Sequence, residues 1–234
     1  MNKNTFLFDM DGTLLSMDTD EFVHSYFKAL CVYFKDEFAP EEIIKAVKLG
    51  TGAMLAENKP VTNIDTFFEV FNKTVGCTDN RYFDVFNNFY ETLFDKLDTG
   101  LNRDENMIEA VKILKEKGYT VAVASNPLFP KIAQVKRLAW GGYNPDDFVY
   151  VSCGEDSKSA KPSKYFYKEV LDIIGKNADE CYMVGNDVTD DMIEPQNLGM
   201  ETYLITNQLI NKQNIEYSGH KGDSKEFLEF VKNL

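Results

Sequence analysis

Short apolar runs alternate with longer amphipathic stretches through the second half of the chain, and this alternation limits the fold more than any other feature. Residues 119–124, 148–152, 181–184 and 202–205 read as buried strands. Around them, residues 106–117, 130–139, 164–174 and 190–198 place apolar side chains at spacings of three and four, as helices packed along one face do. Gly118 follows the first of these helices as a natural C-cap. A polar loop, 207–224, and an amphipathic helix, 225–234, close the chain. Strands separated by helix-sized connections pair in parallel, and parallel sheets are covered on both faces. The fold class predicted is α/β, a doubly wound parallel sheet.

The chain opens with one more strand, Thr5-Phe6-Leu7-Phe8, which must end at Asp9 and Asp11 because carboxylates cannot continue a buried strand without partners. Residues 17–97 are helical instead. Phe22, Tyr26, Phe27, Leu30 and Phe34 recur at helical spacing after the capping candidate Thr19, and Phe86, Phe89, Tyr90, Leu93 and Leu97 repeat the pattern. Residues 40–58 and 64–75 read as two further helices, divided by Lys59-Pro60. The aromatic richness here, at helical periodicity, predicts the core of a four-helix unit rather than a cofactor box. The expected organisation is a core of residues 1–15 and 98–234 with a helical insertion, 16–97. Ligands bind at the carboxyl ends of strands in open α/β sheets, so the insertion is placed to act as a lid.

A chain of 234 residues can bury one good core and a smaller accessory unit. Its net charge of -13 argues against a nucleic-acid partner, which needs clustered Lys and Arg, but leaves room for a small anionic ligand held by a cation or by local donors. The first eight residues are too poor in apolar side chains for a secretory signal, and no run nears the roughly 20 apolar residues that span a bilayer. No membrane partner is expected. Cys31, Cys77, Cys153 and Cys181 are far apart and only two histidines are present, which disfavours structural zinc and fits reduced thiols in a cytoplasmic protein. The sequence sets no oligomeric state and is compatible with a monomer.

The chemistry concentrates at Asp9-Met10-Asp11-Gly12-Thr13-Leu14. Two acids one residue apart at a strand end can address the same space. Carboxylates that close repel, so the pair implies Mg²⁺, an oxygen-preferring ion, or a protonated member, or both. Gly12 permits a turn that a Cβ would hinder. Three more segments follow at predicted strand ends or loops: Val121-Ala122-Val123-Ala124-Ser125-Asn126, Ala160-Lys161-Pro162-Ser163 and Val184-Gly185-Asn186-Asp187-Val188-Thr189-Asp190-Asp191. In this order, over nearly the whole chain, they resemble the four motifs of the haloacid dehalogenase superfamily, whose core is Rossmann-like.

That resemblance implies a magnesium-dependent phosphatase that hydrolyses a small phosphorylated metabolite. Asp9 would be the nucleophile that forms an aspartyl-phosphate, and Asp11 the acid and then the base. Ser125, Asn126 and Lys161 would hold phosphoryl oxygens, with Lys161 also neutralising Asp9. Asp9, the backbone carbonyl of Asp11 and the fourth motif would hold the metal, and Asp191 would support the site by fixing Lys161 or metal-bound water. One departure stands out: the family's fourth motif usually has an acid directly after the glycine, where this chain has Asn186, then Asp187. Asp187 shifting into the metal shell is preferred, because carboxylates bind Mg²⁺ more strongly than amides; the alternative is an amide oxygen from Asn186. Asp11 favours phosphoryl transfer over the dehalogenases and the phosphonoacetaldehyde-type hydrolases, which lack an acid there. Two other readings stay open: a phosphomutase acting on a sugar phosphate, and a non-catalytic phospho-regulatory domain, although phospho-receivers are shorter and lack the insertion. Lys48, Thr51 and Asn58, near Gly50 and Gly52, could contact a leaving group or simply form a solvated turn.

Overall fold

The computed structural model describes residues 3–97 and 103–234. The expected return from insertion to core at residue 98 lies outside them. Five strands form one sheet, every neighbouring pair parallel: β1 (Thr5–Phe8), β2 (Thr120–Val123), β3 (Cys181–Gly185), β4 (Glu201–Ile205) and β5 (His220–Gly222), in the order β2-β1-β3-β4-β5. β1 lies inside the sheet, between β2 and β3, and is wholly buried. The side chains of its residues alternate between two interiors, as the pleat requires. Phe6 and Phe8 join Val121, Val123, Val184 and Tyr203 against α5 (Glu105–Glu116) and α9 (Ser224–Lys232). Leu7 joins Ala122 and Met183 against Phe166, Tyr167 and Val170 of α7 (Lys164–Ile174). Both faces are therefore covered, the condition for a parallel sheet. Full burial of Phe6 or Phe8 contributes about 1.5–3 kcal/mol each.

The edges differ from the sequence reading. Residues 148–152 form no regular strand; Val151 makes an isolated parallel bridge to Val123, tied by Val149 N to Val121 O (2.9 Å), Val123 N to Tyr150 O (2.8 Å) and Ser152 N to Val123 O (3.0 Å). This segment is a half-covered edge, with Phe148 and Val151 inside and Val149 outside. β5 lies within the expected polar loop. It is three residues long, with an exposed His and Lys, which suits a protected sheet edge but gives no apolar signal. The helix expected at 190–198 begins earlier, as a π-helical turn, Val188–Ile193, that runs into α8 (Glu194–Leu198).

The insertion supplies α1 (Thr19–Tyr33), α2 (Pro40–Met54), α3 (Asn63–Val75) and α4 (Arg81–Thr92). Asp18, not Thr19, caps α1 by accepting from Glu21 N (3.0 Å); an ionised acceptor makes the stronger bond there. α2 stops at Met54, short of residue 58; the Lys59 ammonium donates to Met54 O (2.7 Å) at its end, and Asn58 adopts φ 47°. The aromatic residues form the interior, as predicted: Phe34–Phe86 and Phe71–Phe86 centroids are 5.1 and 5.2 Å apart. The insertion is fastened to the sheet's loops at Asn63. Its backbone N donates to Ser157 O (2.8 Å), and its buried Nδ2 donates to Pro127 O (3.2 Å) and Ser159 O (3.0 Å).

Candidate active site

β2, β1 and β3 end side by side. Phe8 is in register with Val123 and with Val184, so Asp9, the segment Ala124-Ser125 and the segment Gly185-Asn186 emerge together at their carboxyl ends. Asp9 N donates to Val184 O (2.8 Å), and Ala124 N to Phe8 O (2.7 Å), which fixes the exit of β1. Lys161 reaches this point from the loop before α7. Its buried ammonium donates to Asp9 Oδ1 (2.7 Å) and to Asp191 Oδ1 (2.6 Å). Its backbone N donates to Asn126 Oδ1 (3.3 Å), tying the second motif to the third. Ser125 is buried beside these groups in sequence, and its carbonyl accepts from Ser152 Oγ (2.6 Å).

Burial opposes the charge of Lys161, but Asp191 and Asp9 outweigh it and hold its pKa well above the ordinary value. Burial pushes Asp191 up to about 7, with Lys161 pulling down and Asp9 pushing up. Asp191 also accepts through Oδ2 from Asn186 N (3.1 Å) and Asp187 N (3.0 Å), so it shapes the fourth motif while gripping Lys161. Gly185 makes room for it: a Cβ there would stand 2.3 Å from the Asp191 carboxyl carbon.

Asn186 and Asp187 have separate tasks. The Asp187 carboxylate caps the π-helical turn, accepting from Thr189 N (2.8 Å) and Asp190 N (3.1 Å). Asn186 is buried with Nδ2 donating to Gln208 O (2.7 Å), which turns its Oδ1 toward Thr13; the Thr13 hydroxyl lies 3.5 Å from that oxygen and 3.4 Å from Asp9 Oδ2. Gly12, at φ 79°, is required by this approach, since a Cβ would meet Asn186 Nδ2 at 2.2 Å.

Asp11 is held by a partner that the sequence reading missed. Arg137, from α6 (Lys131–Trp140), is almost fully buried and bonds Asp11 Oδ1 through Nη2. Its guanidinium lies 4.9 Å from the Phe22 ring centroid and 5.2 Å from that of Phe129. The hydrogen bonds continue: Arg137 Nη1 donates to Gln134 Oε1 (3.0 Å), Gln134 Nε2 to Ser152 O (3.3 Å), and Ser152 Oγ to Ser125 O. Asp11 is thus wired to the second motif. Burial raises the Asp11 pKa; Arg137 opposes this and Asp9 adds to it, for a net rise. The available signal was the pair Gln134 and Arg137, polar residues on the buried face of α6 beside Ala133 and Leu138.

The donor set fits a hard cation. Asp9 Oδ2 and Asn186 Oδ1 share only a distant hydroxyl, that of Thr13. Among the described residues no three His, Cys, Asp or Glu side chains converge, so an ion here would rest on carboxylate, amide and backbone oxygens together. Of the suggested leaving-group contacts, Lys48 and Thr51 line a cavity between the insertion and the loop after Asn126. Asn58 instead donates its backbone N to Ser159 Oγ (3.1 Å).

A family model described as haloacid dehalogenase-like hydrolase matches residues 3–199. The chain belongs to this family. Among curated relatives, pyrophosphatase PpaX of Bacillus cereus (strain B4264) is 24% identical over 207 residues, 88% of this chain and 84% of the relative. Among solved structures, a 2-haloacid dehalogenase from Pseudomonas syringae pv. Tomato DC3000 superposes with a TM-score of 0.67 at 16% identity, covering 100% of this chain and 99% of the other. The putative hydrolase YfnB of Bacillus subtilis, described as bound to magnesium, gives a TM-score of 0.57 at 17% identity and covers 100% of both chains. The structural likenesses establish the fold, a haloacid dehalogenase-like core of parallel strands and flanking helices. The chain is accordingly a hydrolase with phosphatase-named relatives, and no helix among its described residues is long and apolar enough to cross a membrane.

Proposed function

We propose that this hydrolase is a magnesium-dependent phosphatase in which Asp9 accepts the phosphoryl group of a small phosphorylated metabolite. The observation that carries the reading is the grip of buried Lys161 on both Asp9 and Asp191, two residues from an Asp11 that Arg137 holds in place. A lysine fixed on Asp9 lowers the repulsion between that carboxylate and an incoming phosphoryl dianion. Asp9 attacks phosphorus, the bond to the leaving oxygen breaks, and Asp11 gives that oxygen its proton. Water then attacks the aspartyl-phosphate, Asp11 takes the proton back, and inorganic phosphate leaves with Asp9 regenerated. Ser125 and the backbone around Asn126 bind the remaining phosphoryl oxygens beside Lys161.

Asp9, Asn186 and the backbone carbonyl of Asp11 would hold Mg²⁺, which supplies charge neutralisation of the phosphoryl group when bound. Asn186 is favoured over Asp187 because Asp187 is committed to its helical cap. The residue ranges 1–15 with 98–234 and 16–97 are proposed to act as body and lid, joined at Asn63. Pyrophosphate enters as a candidate substrate on the name of the Bacillus relative alone. Four free thiols and a net charge of -13 accord with a cytoplasmic protein that acts on small molecules.

The test is release of inorganic phosphate from generic phosphomonoesters, with and without Mg²⁺, by the wild-type chain and by Asp9→Asn. Loss of turnover in a folded Asp9→Asn variant is expected. Activity near the wild-type level in that variant would sink the nucleophile assignment.

A further inference from the structure

A cavity of about 400 Å³ lies between helices α1–α4 and the loop that follows Asn126. Its walls include Tyr26, Phe27, Phe67 and Phe86 from the helices and Leu128 and Phe129 from the loop. Little of its polarity is available to a ligand. The Tyr26 and Tyr90 hydroxyls bond each other (2.8 Å), and the Glu155 carboxylate already accepts from Lys131 N (2.9 and 3.0 Å). Lys48 stands at the edge with its ammonium 5.6 Å from the Phe27 ring centroid and, among the described residues, no carboxylate partner. The space thus offers mainly apolar and aromatic surface, with Lys48, Glu155, Thr51 and Asn87 as its few polar groups. Sites of this size and lining accept ring systems or alkyl chains.

The cavity is linked to the surroundings of Asp11 through Phe129. Phe129, one of its walls, also carries the Arg137 guanidinium, and Arg137 holds Asp11, the group assigned to protonate the leaving oxygen. We propose that this cavity receives the apolar body of the substrate. The chain then acts on phosphomonoesters of aryl-bearing or long-chain alcohols rather than on sugar phosphates or pyrophosphate. This inference rests on the phosphatase reading above. A sugar ring would leave several hydroxyls without water or partners against these walls, a cost that hydrophobic pockets do not return. The second phosphate of pyrophosphate would bring more charge than Lys48 alone can balance. An apolar leaving group needs neither.

The test compares ethyl phosphate with 2-(1-naphthyl)ethyl phosphate, whose alcohols are similarly basic, so a difference reads the cavity and not the bond broken. Gly52 lines the cavity, and a Cβ added there meets nothing within 4 Å, so Gly52→Phe adds bulk without a clash at its base. Thr51→Leu gives a second reading from the neighbouring position. With Mg²⁺ present, the wild-type chain should favour the naphthyl ester in kcat/KM by about tenfold or more, and Gly52→Phe should lower that ratio about tenfold, chiefly through KM. Calorimetry with 2-(1-naphthyl)ethanol, which needs no turnover, should show binding that weakens in both variants. Equal kcat/KM for the two esters in the wild-type chain would overturn the leaving-group assignment and leave the phosphatase reading intact. Binding of the alcohol without hydrolysis of either ester would overturn the phosphatase reading, and this inference with it.

Discussion

Arg137 holds Asp11 from below: a guanidinium with almost no solvent exposure, set between Phe22 and Phe129, bonds a carboxylate that still reaches solvent. The same guanidinium bonds Gln134, so its two terminal nitrogens fix Asp11 relative to α6. Replacing it with Met leaves a partly buried acid without its partner. Arg137→Met should lower stability by about 1–3 kcal/mol, discounted because Asp11 is partly solvated. It should lower kcat about a hundredfold with little change in KM, because misplacement of the acid acts on the chemical step. Arg137→Lys should restore little, since a single ammonium cannot reproduce the fork. Steady-state kinetics on the three proteins would decide it; a drop confined to KM would contradict the positioning role.

Lys161 separates two buried acids. In Lys161→Met, Asp9 and Asp191 face each other without a cation, a loss of about 3–5 kcal/mol near neutral pH. The sign with pH follows from burial, which already raises Asp191 to about 7 while Lys161 opposes the rise. Without Lys161 the folded state binds a proton more tightly still, and more tightly than the unfolded chain does. The destabilisation should therefore shrink as pH falls from 8 toward 5 and grow as pH rises. Melting temperatures of variant and wild type across that range measure it; a gap independent of pH would mean that the carboxylates do not carry the penalty.

Asn186 and Asp187 should respond differently to magnesium. Asn186→Asp puts a second carboxylate beside Asp9, so the metal-free protein should lose stability and recover it on adding Mg²⁺, with half-maximal activity at a lower Mg²⁺ concentration. Asp187→Ala removes a helical cap and should cost about 1 kcal/mol whether or not the ion is present. Thermal melts with and without Mg²⁺ distinguish the two. A Mg²⁺ dependence shifted more by Asp187→Ala than by Asn186→Ala would return the ligand role to Asp187.

Much of this site was legible in the sequence because its parts are local. Asp9 and Asp11 mark the end of an apolar run, and Lys161 and Asp191 sit in short motifs at later strand ends. Arg137 was not legible by that route, because its contact with Asp11 depends on how α6 packs against the end of β1, not on spacing. The Asp187 carboxylate caps the π-helical turn, a role that the acid-rich sequence does not declare. The fold followed the same rule. Strands buried on both faces announced themselves, whereas β5, a His-Lys-Gly edge, and the half-covered segment around Val151 did not.

The thiols offer a further check. Burial lifts Cys181 to about 11 and Cys153 higher still, aided by neighbouring acids, so both are protonated where an unfolded thiol would begin to ionise. Raising the pH from 7 to 9 should therefore leave these two unmodified by iodoacetamide in the native chain, whereas denaturant should expose all four. Mass spectrometry of the alkylated peptides gives the count, and rapid native labelling of Cys153 or Cys181 would contradict their burial.

The aromatic interior of the four inserted helices does not stop at their boundary. Phe94 stacks on Trp140 at 5.0 Å, and one apolar cluster runs from Phe86 in α4 through Phe8 to Phe227 behind the sheet. Parting the two would expose these packed rings to water, so heat should melt them in a single calorimetric transition. Access for a substrate would then come from slight sliding of packed rings rather than from a wide swing.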